Sequence, residues 1–296
     1  MSEPASPTLD QLRVFAAVAE TGSFSAAARR LHRAQSAVSY AIANLEELLG
    51  LALFERGHRR PLLTEAGRAV LADARRVGRL VDDLRARATG LTAGLEAEVG
   101  LAVDVMFPTA RLVAVLEAFA QEFPTVALRL RVEALGGVVA QVLARACGIG
   151  ISGPMGVAVE AIERRPLCQI ELVPVCAPAH PLAGLPTPLP AAALHEHVQL
   201  VLTDRSPLTD GQDFGVISPR TWRLGDLGAK HALLRAGLGW GNMPVHMVAD
   251  DLRAGTLVRL DPGRAGIMFQ LMLVKRADTP PGPATRWLAE RLAAPP

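Results

Sequence analysis

A run of polar residues between Gln35 and Asn44 offers the clearest chemistry in this chain. Amide, hydroxyl and phenol groups stand at Gln35, Ser36, Ser39, Tyr40 and Asn44. Val38, Ile42 and Leu45 recur at steps of four and three residues, which predicts the buried side of a helix. The polar groups then point outward, where short donors and acceptors can enter the major groove of DNA and contact base edges. The pattern predicts a DNA-reading helix.

Two upstream helices are predicted to position this helix. The segment 25–30 is compatible with a helix that ends at a tight turn before Gln35, and an apolar stripe runs from Leu9 to Ala19. Between them, Thr21-Gly22-Ser23 supplies a stop for one helix and a cap for the next. The arrangement predicts a helix-turn-helix, and the alternative is an ordinary helical hairpin.

An arginine-rich turn follows between the apolar anchors Leu53 and Leu63. Guanidinium groups around its glycine could bind phosphate oxygens and set the register of the helix on DNA. The turn therefore predicts a wing, with solvated surface charge as the alternative for any single arginine. The residues expected to contact double-stranded DNA are Arg33, Gln35, Ser36, Ser39, Tyr40, Asn44, Arg56, Arg59 and Arg60.

Several motifs in this region form one long pattern. They are Leu-Xaa-Xaa-Phe at 12–15, Gly-Ser-Phe-Ser-Ala-Ala-Ala at 22–28, Gln-Ser-Ala-Val-Ser at 35–39, Leu-Phe-Glu-Arg at 53–56 and Leu-Thr-Xaa-Ala-Gly at 63–67. Residues 8–67 thereby resemble the winged helix-turn-helix of LysR-type transcriptional regulators. Two positions depart from that family. Ala34 replaces a serine that would cap the recognition helix, and Tyr40 replaces a common arginine, so we expect a different base preference.

A heptad-like seam follows the wing, in a stretch without proline from Thr64 to Pro108. Its members alternate steps of four and three residues: Val70, Ala74, Val77, Val81, Leu84, Ala88 and Leu91. Such a seam predicts a long helix that pairs with a second chain, although packing along its own domain is the alternative. The resemblance implies pairing, because this linker helix forms the dimer in the family. A homodimer or homotetramer would then bind two symmetry-related half-sites.

The composition predicts a cytoplasmic protein without a membrane partner. The chain has 296 residues and a net charge of only +2, and residues 1–90 hold 13 arginines and no lysine against 10 acidic residues. DNA affinity must therefore come from the placement of individual arginines. We find neither an apolar run of membrane length nor a secretory leader. The 3 cysteines lack CxxC spacing, as expected for thiols in a reducing compartment.

The remaining two thirds of the chain predict an α/β domain. Alternating strands and helices are expected at Val99–Val105, Thr109–Phe123, Ala127–Glu133, Val138–Ala146 and Ile149–Ser152. This order indicates a parallel sheet. A second unit is expected from Leu172 to about Leu260, with strands at Leu172–Ala177 and Gln199–Leu202 and a helix at Asp226–Ala236. A final strand, Phe269–Lys275, and helix, Ala284–Ala293, complete the chain.

Three further motifs extend the resemblance over nearly the whole chain. They are Phe119–Pro124, His180–Ala183 and Gly237–Pro244. The resemblance implies two α/β lobes like a type 2 periplasmic-binding fold, with the C-terminal tail packed on the first lobe and crossings near 164–168 and 263–267. The expected domains are a winged helix-turn-helix at 1–66, a linker helix at 67–94 and an effector domain at 95–296. Lobe 1 would take 95–165 plus 267–296, and lobe 2 would take 166–266.

A small-molecule effector between the lobes is what the resemblance implies, with RNA polymerase as a further candidate partner. The residues expected to contact the effector are Asp104, Phe107, Thr109, Thr203, Asp204 and Trp222. Asp104 stands where the family often has serine or threonine. Unless Arg220 or Arg223 pairs with it, its carboxylate would repel acids, so we expect a neutral or amine-bearing effector. The alternative for Asp104 is a structural acceptor.

Other chemistries find no support in the sequence. The glycines at 148, 150 and 153 match GxGxxG but lie in a strand without a following helix. His195 and His197 lack a third ligand, so we expect no metal and no cofactor. No catalytic pattern indicates an enzyme. One alternative is a redox-responsive regulator of the same fold with a Cys168–Cys176 disulfide, as in part of the family; another is a solute-binding protein, which would need an export leader.

Overall fold

The computed structural model describes residues 6–55, 60–153, 159–203, 206–209, 212, 214–263 and 266–294. The chain divides into two compact units, Met1–Gly90 and Leu91–Pro296. In its described residues the first unit contains helices and one isolated β-bridge, and the second is built on one sheet covered by helices. Within these ranges, no helix combines the length and apolar character that crossing a bilayer requires.

The first unit is organised around a three-helix core. Its helices are α1 Leu9–Thr21, α2 Phe24–Arg30, α3 Gln35–Leu49 and the long α4 Glu65–Thr92. The side chains of Phe15 from α1, and of Val38 and Leu45 from α3, are fully buried. These are apolar positions at helical spacing, so burial of the stripe that the sequence shows is what packs the helices together. The predicted helix-turn-helix is confirmed.

Local capping explains where these helices begin. Thr8 and Gln11 form a reciprocal capping box at the start of α1, and the Ser23 hydroxyl accepts a hydrogen bond from the Ala26 amide at the start of α2. Ala34 occupies the same position before α3 and offers no side-chain acceptor. The first turn of the recognition helix therefore lacks a cap that usually contributes about 1 kcal/mol.

The second unit alternates strands and helices. Its strands are β1 Glu98–Asp104, β2 Ala127–Glu133, β3 Ile149–Ser152, β4 Ile162–Cys176, β5 Gln199–Leu202, β6 Thr221–Leu224, β7 Trp240–Pro244, β8 Val258–Arg259 and β9 Ile267–Arg276. Its α-helices are α5 Thr109–Glu122, α6 Gly137–Leu143, α7 Ala191–Glu196, α8 Leu227–Arg235, α9 Val245–Ala254 and α10 Pro283–Ala293. Short 3₁₀ turns lie at Pro181–Gly184 and Pro207–Thr209.

The sheet is mixed, and the parallel pairing predicted for its first three strands is confirmed. The strand order is β2-β1-β3-β9-β4-β7-β5-β6, with β8 added to β4. Strands β1, β2 and β3 are mutually parallel, as are β5, β6 and β7. Strands β4 and β9 run antiparallel to their neighbours and join the two parallel groups. The strands from the first group form lobe 1, and those from the second group form lobe 2.

Strand β4 begins ten residues earlier than the sequence indicates. It starts at Ile162 instead of Leu172 and pairs with β9 along most of its length. Charged residues at 163–165 and Pro166 interrupt the apolar pattern that marks a strand. A register shift between Pro166 and Cys168 accommodates the proline. Strand pairing with β9, and not local propensity, therefore determines this element.

Strand β7 follows the glycine-rich segment, where the sequence indicates only a helix end and a turn. Gly237 does end α8, with a positive φ of 76°. Gly241 has another reason: a Cβ there would lie 2.7 Å from the Leu200 carbonyl oxygen, so a side chain would separate β7 from β5. Helix α9 and strands β6 and β8 were also absent from the prediction.

The C-terminal helix packs on lobe 1, as the resemblance implies. Phe119 of α5 and Phe123, the residue that follows this helix, form an aromatic cluster with Trp287 of α10. The Arg111 guanidinium donates to the carbonyl oxygens of Leu292 and Ala294 at 2.7 and 2.8 Å. These contacts satisfy the C-terminal carbonyls of α10, which have no partner inside the helix.

Candidate DNA-binding and effector sites

The outer face of α3 is a polar surface that the three-helix core holds in place. Gln35, Ser36 and Ser39 are exposed, and Tyr40 is the most exposed of the large hydrophobic side chains that the structure describes, at 72%. Asn44, one turn further along, is half-buried. Exposed Ala37 and Ala43 share this face, and the sequence analysis missed them. Their methyl groups suit contact with thymine methyls.

Arg33 lies beside this face and already has a partner. Its guanidinium donates two hydrogen bonds to the Asp10 carboxylate, both 2.7 Å long. This arginine holds the pKa of Asp10 below its usual value. The pair fixes the start of α1 against the turn before α3, so Arg33 has a structural role in the free protein beside the predicted DNA contact.

The wing is tied to α3 by Glu46. One oxygen of its carboxylate accepts hydrogen bonds from the Leu53 and Phe54 amides, at 2.6 and 3.2 Å. Phe54 then forms an antiparallel bridge with Leu63. The base of a hairpin is therefore present where the sequence predicts a wing. Arg60 is exposed beside it, whereas Arg56 and Arg59 lie outside the described residues.

The predicted seam on the linker helix α4 has a buried part and an exposed part. Ala74 is buried in the core of the first unit, and Val70 packs against the same core. Val77, Leu84 and Leu91 are exposed, at 36%, 64% and 49%. Val81 is half-buried, and Ala88 is exposed. Leu80, which the sequence analysis missed, is 61% exposed next to the seam. Only the part after Ala74 remains on the surface.

A cavity of about 230 Å³ lies between the two lobes of the second unit. Met106 and Leu135 line it from lobe 1, and most of its wall comes from lobe 2 and from β9. The remaining lining residues are Leu172, Gln199, Leu200, Val201, Leu202, Phe214, Gly215, Lys230, Asn242, Ile267 and Phe269. An apolar pocket with a few polar groups is typical of a small-molecule site.

Lys230 is the one titratable side chain among those lining residues. It is only 4% exposed, and its Nζ donates to the Asn242 carbonyl oxygen at 2.7 Å. Burial lowers the pKa of this ammonium to about 8, so it still carries its charge at neutral pH. Gln199, by contrast, makes three hydrogen bonds: its Nε2 donates to the Gly215 carbonyl oxygen, and its Oε1 accepts from the Ile217 and Ser218 amides.

The five predicted effector residues that the structure describes do not line this cavity. Phe107 is buried in the core with the Arg111 guanidinium over its ring, and Thr109 is exposed at the start of α5. Thr203 is half-buried, and its amide donates to the Leu224 carbonyl oxygen. Trp222 is 47% exposed on the edge strand β6. Asp204 lies outside the described residues. Phe107 and Trp222 are therefore not part of the wall of this cavity.

Asp104 is a structural hydrogen-bond acceptor, which was the alternative to an effector contact. It is 1% exposed, and its Oδ1 accepts a hydrogen bond from the Met106 amide at 2.9 Å. Burial raises the pKa of this carboxyl to about 6. Among the described residues no arginine pairs with it; Arg220 donates instead to the Glu196 carbonyl oxygen. Asp104 therefore shapes the β1–α5 turn behind Met106.

A second cavity, of about 340 Å³, lies beside the first. It shares Asn242 and Ile267 with the first and is otherwise lined by Trp240, Arg259 and neighbouring residues. The Arg259 guanidinium already donates to the Glu171 carboxylate at 2.8 Å. Its cation is therefore neutralised, whereas Lys230 has no carboxylate partner in the part of the chain that the structure describes.

The alternative of a Cys168–Cys176 disulfide does not fit this fold. Cys168 and Cys176 lie on one continuous strand, β4. Eight residues of strand place their Cα atoms about 26 Å apart, whereas a disulfide needs about 4.4–6.8 Å. Both thiols are free, and burial raises the pKa of Cys176 to about 11. A redox switch between these two residues is excluded unless β4 unfolds.

Comparison with known proteins identifies two domains in the chain. Residues 9–68 match the family described as bacterial regulatory helix-turn-helix protein, lysR family, and residues 92–294 match the LysR substrate binding domain. The chain is 30% identical to the HTH-type transcriptional activator AllS of Klebsiella pneumoniae, over 84% of this chain and 93% of that protein. It is 32% identical to a RuBisCO operon transcriptional regulator of Allochromatium vinosum, over 86% and 85%.

A solved structure supports the fold. The OxyR C206 mutant of Corynebacterium glutamicum superposes with a TM-score of 0.51 at 24% identity, covering 99% of this chain and 94% of that one. The relatives are named regulators, and the helix-turn-helix and the two-lobed domain are both present. The chain therefore belongs to the LysR family: it is a DNA-binding transcriptional regulator with an effector-binding domain, and not an enzyme.

Proposed function

We propose that this regulator acts in the cytoplasm as a homodimer or homotetramer, whose output at a promoter changes when a small molecule occupies the cavity between its lobes. The domains would be 1–66 for DNA binding, 67–94 for pairing and 95–296 for the effector. The observation that carries the proposal is the placement of a polar, exposed recognition face and a lined interlobe cavity in one chain.

DNA contact is assigned to the exposed face of α3 and to the wing. Gln35, Ser36, Ser39 and Tyr40 would reach base edges, because they point away from the core that holds the helix. Arg60 would bind phosphate, together with the predicted Arg56 and Arg59. Asn44 lies further along the helix, and Arg33 would have to share its guanidinium between Asp10 and DNA. Phosphate contacts would set the register, and α3 would read the sequence.

Pairing is assigned to the exposed strip of α4, and the occupant is a second copy of the same chain. Val77, Leu84 and Leu91 repeat every seven residues, and Leu80 and Val81 widen the strip. An apolar strip at this spacing fits an identical strip on a second helix. Leu84→Asp should halve the mass measured by light scattering, whereas Asp83→Lys on an adjacent exposed position should leave it unchanged. A persistent dimer in Leu84→Asp would contradict this assignment.

DNA binding is tested by selection of sites from a random oligonucleotide library with the full-length protein. The wild type should enrich a sequence with two related half-sites. Ser39→Glu should bind the enriched site at least about a hundredfold more weakly, because it brings a carboxylate against DNA. Ala72→Glu adds the same charge at an exposed position of α4 and is the control. Equal loss in both variants would overturn the assigned face.

A further inference from the structure

Lys230 is a buried cation with no carboxylate partner among the residues that the structure describes. It lies on α8, and within that part of the chain its ammonium makes one hydrogen bond, to the Asn242 carbonyl oxygen. An ammonium has three N–H donors, so two remain for another acceptor. The rest of the lining is apolar apart from Asn242, the engaged Gln199 and backbone. Keeping a charge in such a place costs stability unless a partner arrives.

The backbone leaves space for this lysine. A Cβ at position 241 would lie 3.1 Å from the Lys230 Cε, so the glycine on β7 accommodates the side chain as it crosses the strand. The Asn242 side chain also lines the cavity, and within the described part of the chain no hydrogen bond engages its amide. An ammonium and a free amide therefore border the same space.

We propose that the cavity binds a small organic acid whose carboxylate accepts hydrogen bonds from the Lys230 ammonium and the Asn242 amide. The apolar body of the acid would lie among Phe214, Phe269 and Met106. This inference rests on the proposed function, because it names the chemical class of the effector. It replaces the neutral or amine-bearing effector expected from Asp104, which does not line the cavity.

The size of the cavity limits the acid. A volume of about 230 Å³ corresponds to roughly eight water molecules in the liquid. A monocarboxylate with a short chain or a single ring fits this space, and an acid with two fused rings and substituents does not. Among the described lining residues Lys230 is the one cation. This favours one carboxylate over two, because a second carboxylate would lie unpaired in an apolar wall.

The test uses the full-length protein with three acids, namely benzoate, cyclohexanecarboxylate and hexanoate, and with the amide of each. Thermal unfolding and calorimetry should show that at least one acid binds and that its amide binds about tenfold more weakly or worse. Lys230→Met should lose this preference for the acid. Arg259→Met, which removes a cation from the neighbouring cavity, should keep it.

Three results would overturn the inference. The first is equal binding of acid and amide, the second is unchanged acid binding by Lys230→Met, and the third is no binding of any of the acids to the wild type. Near-ultraviolet circular dichroism checks that the Met variant folds, and Lys230→Gln serves as a second uncharged variant. Asn242→Ala should weaken binding of the acid less than Lys230→Met does, because it removes only a neutral donor.

The same protein samples separate this inference from the proposed function. If the wild type binds its selected DNA site but no acid, the function stands and the acid assignment fails. If the wild type selects no DNA site, the proposed function fails whatever the cavity binds. Lys230→Met should still bind the selected site, since Lys230 lies in the effector domain and outside the recognition face.

Discussion

The recognition face and the interlobe cavity use polar residues in opposite ways. On α3, Ser39 and Tyr40 are exposed, and water satisfies them until DNA arrives. In the cavity, Lys230 is 4% exposed and has given up most of its hydration. Polar groups on the surface cost little to maintain, whereas a buried charge destabilises the fold. Function at the first site should therefore be nearly independent of stability, and function at the second should oppose it.

The largest expected effect tests a residue beneath the recognition face. Glu46→Ala removes the acceptor of the Leu53 and Phe54 amides, and the Leu53 residue is fully buried. We expect the first unit to lose about 3 kcal/mol of stability. Thermal unfolding measures this, and Glu46→Gln, which keeps an uncharged oxygen, should lose less. A loss under about 1 kcal/mol would show that the wing does not depend on this carboxylate.

Replacement of the buried lysine should change stability in the other direction. Lys230→Met removes a desolvated charge, so the unfolding free energy at pH 7 should rise by about 2 kcal/mol. A decrease instead would mean that the ammonium holds the lobes together. Denaturant unfolding of the full-length chain gives the comparison.

The stability gained by Lys230→Met should decrease as the pH rises. Below about pH 8 the ammonium is charged in the folded and unfolded chain, so the full cost of burial is present. As pH rises from about 8 towards 10.5, the unfolded chain keeps a proton that the folded chain has lost, so the wild type gains stability. The difference between wild type and Lys230→Met should therefore shrink over this window. A constant difference would contradict the lowered pKa.

A smaller gain is expected at the start of the recognition helix. Ala34→Ser should restore the missing cap and add about 1 kcal/mol. Ala37→Ser places the same residue inside the helix, where it cannot cap, and is expected to cost up to about 0.5 kcal/mol. Thermal unfolding of the two variants should thus shift in opposite directions. Equal shifts would indicate that the cap position is filled in another way.

The smallest effect on stability is expected at Tyr40. Because this side chain is 72% exposed, Tyr40→Ala should change the unfolding free energy by no more than about 0.5 kcal/mol. The affinity of Tyr40→Ala for the selected DNA site should nevertheless fall. Tyr40→Phe keeps the ring, so its affinity should show how much of that loss is due to the hydroxyl. A large loss of stability in Tyr40→Ala would remove the contrast between the two sites.

The sequence predicted the two sites to different depths. The helix-turn-helix, β2, β3 and β5 were located to the residue or nearly so, because an apolar stripe or run identifies each one locally. Strand β7 and the first ten residues of β4 were missed, because their glycine, proline and charged residues interrupt the apolar pattern from which a strand is predicted. The cavity was expected between the lobes, but the residues expected to line it were Asp104 and Phe107 instead of Lys230 and Asn242.

The sequence by itself determined the family, and it predicted a recognition face and a seam that each depend on residues a few positions apart along one helix. Only the tertiary structure showed that the Asp104 carboxylate accepts a hydrogen bond from the Met106 amide. It also showed that Cys168 and Cys176 are a strand length apart and that Lys230 borders the cavity. These facts depend on pairing between residues far apart in the chain. Periodicity reports which side of an element is buried, but not which distant element covers it.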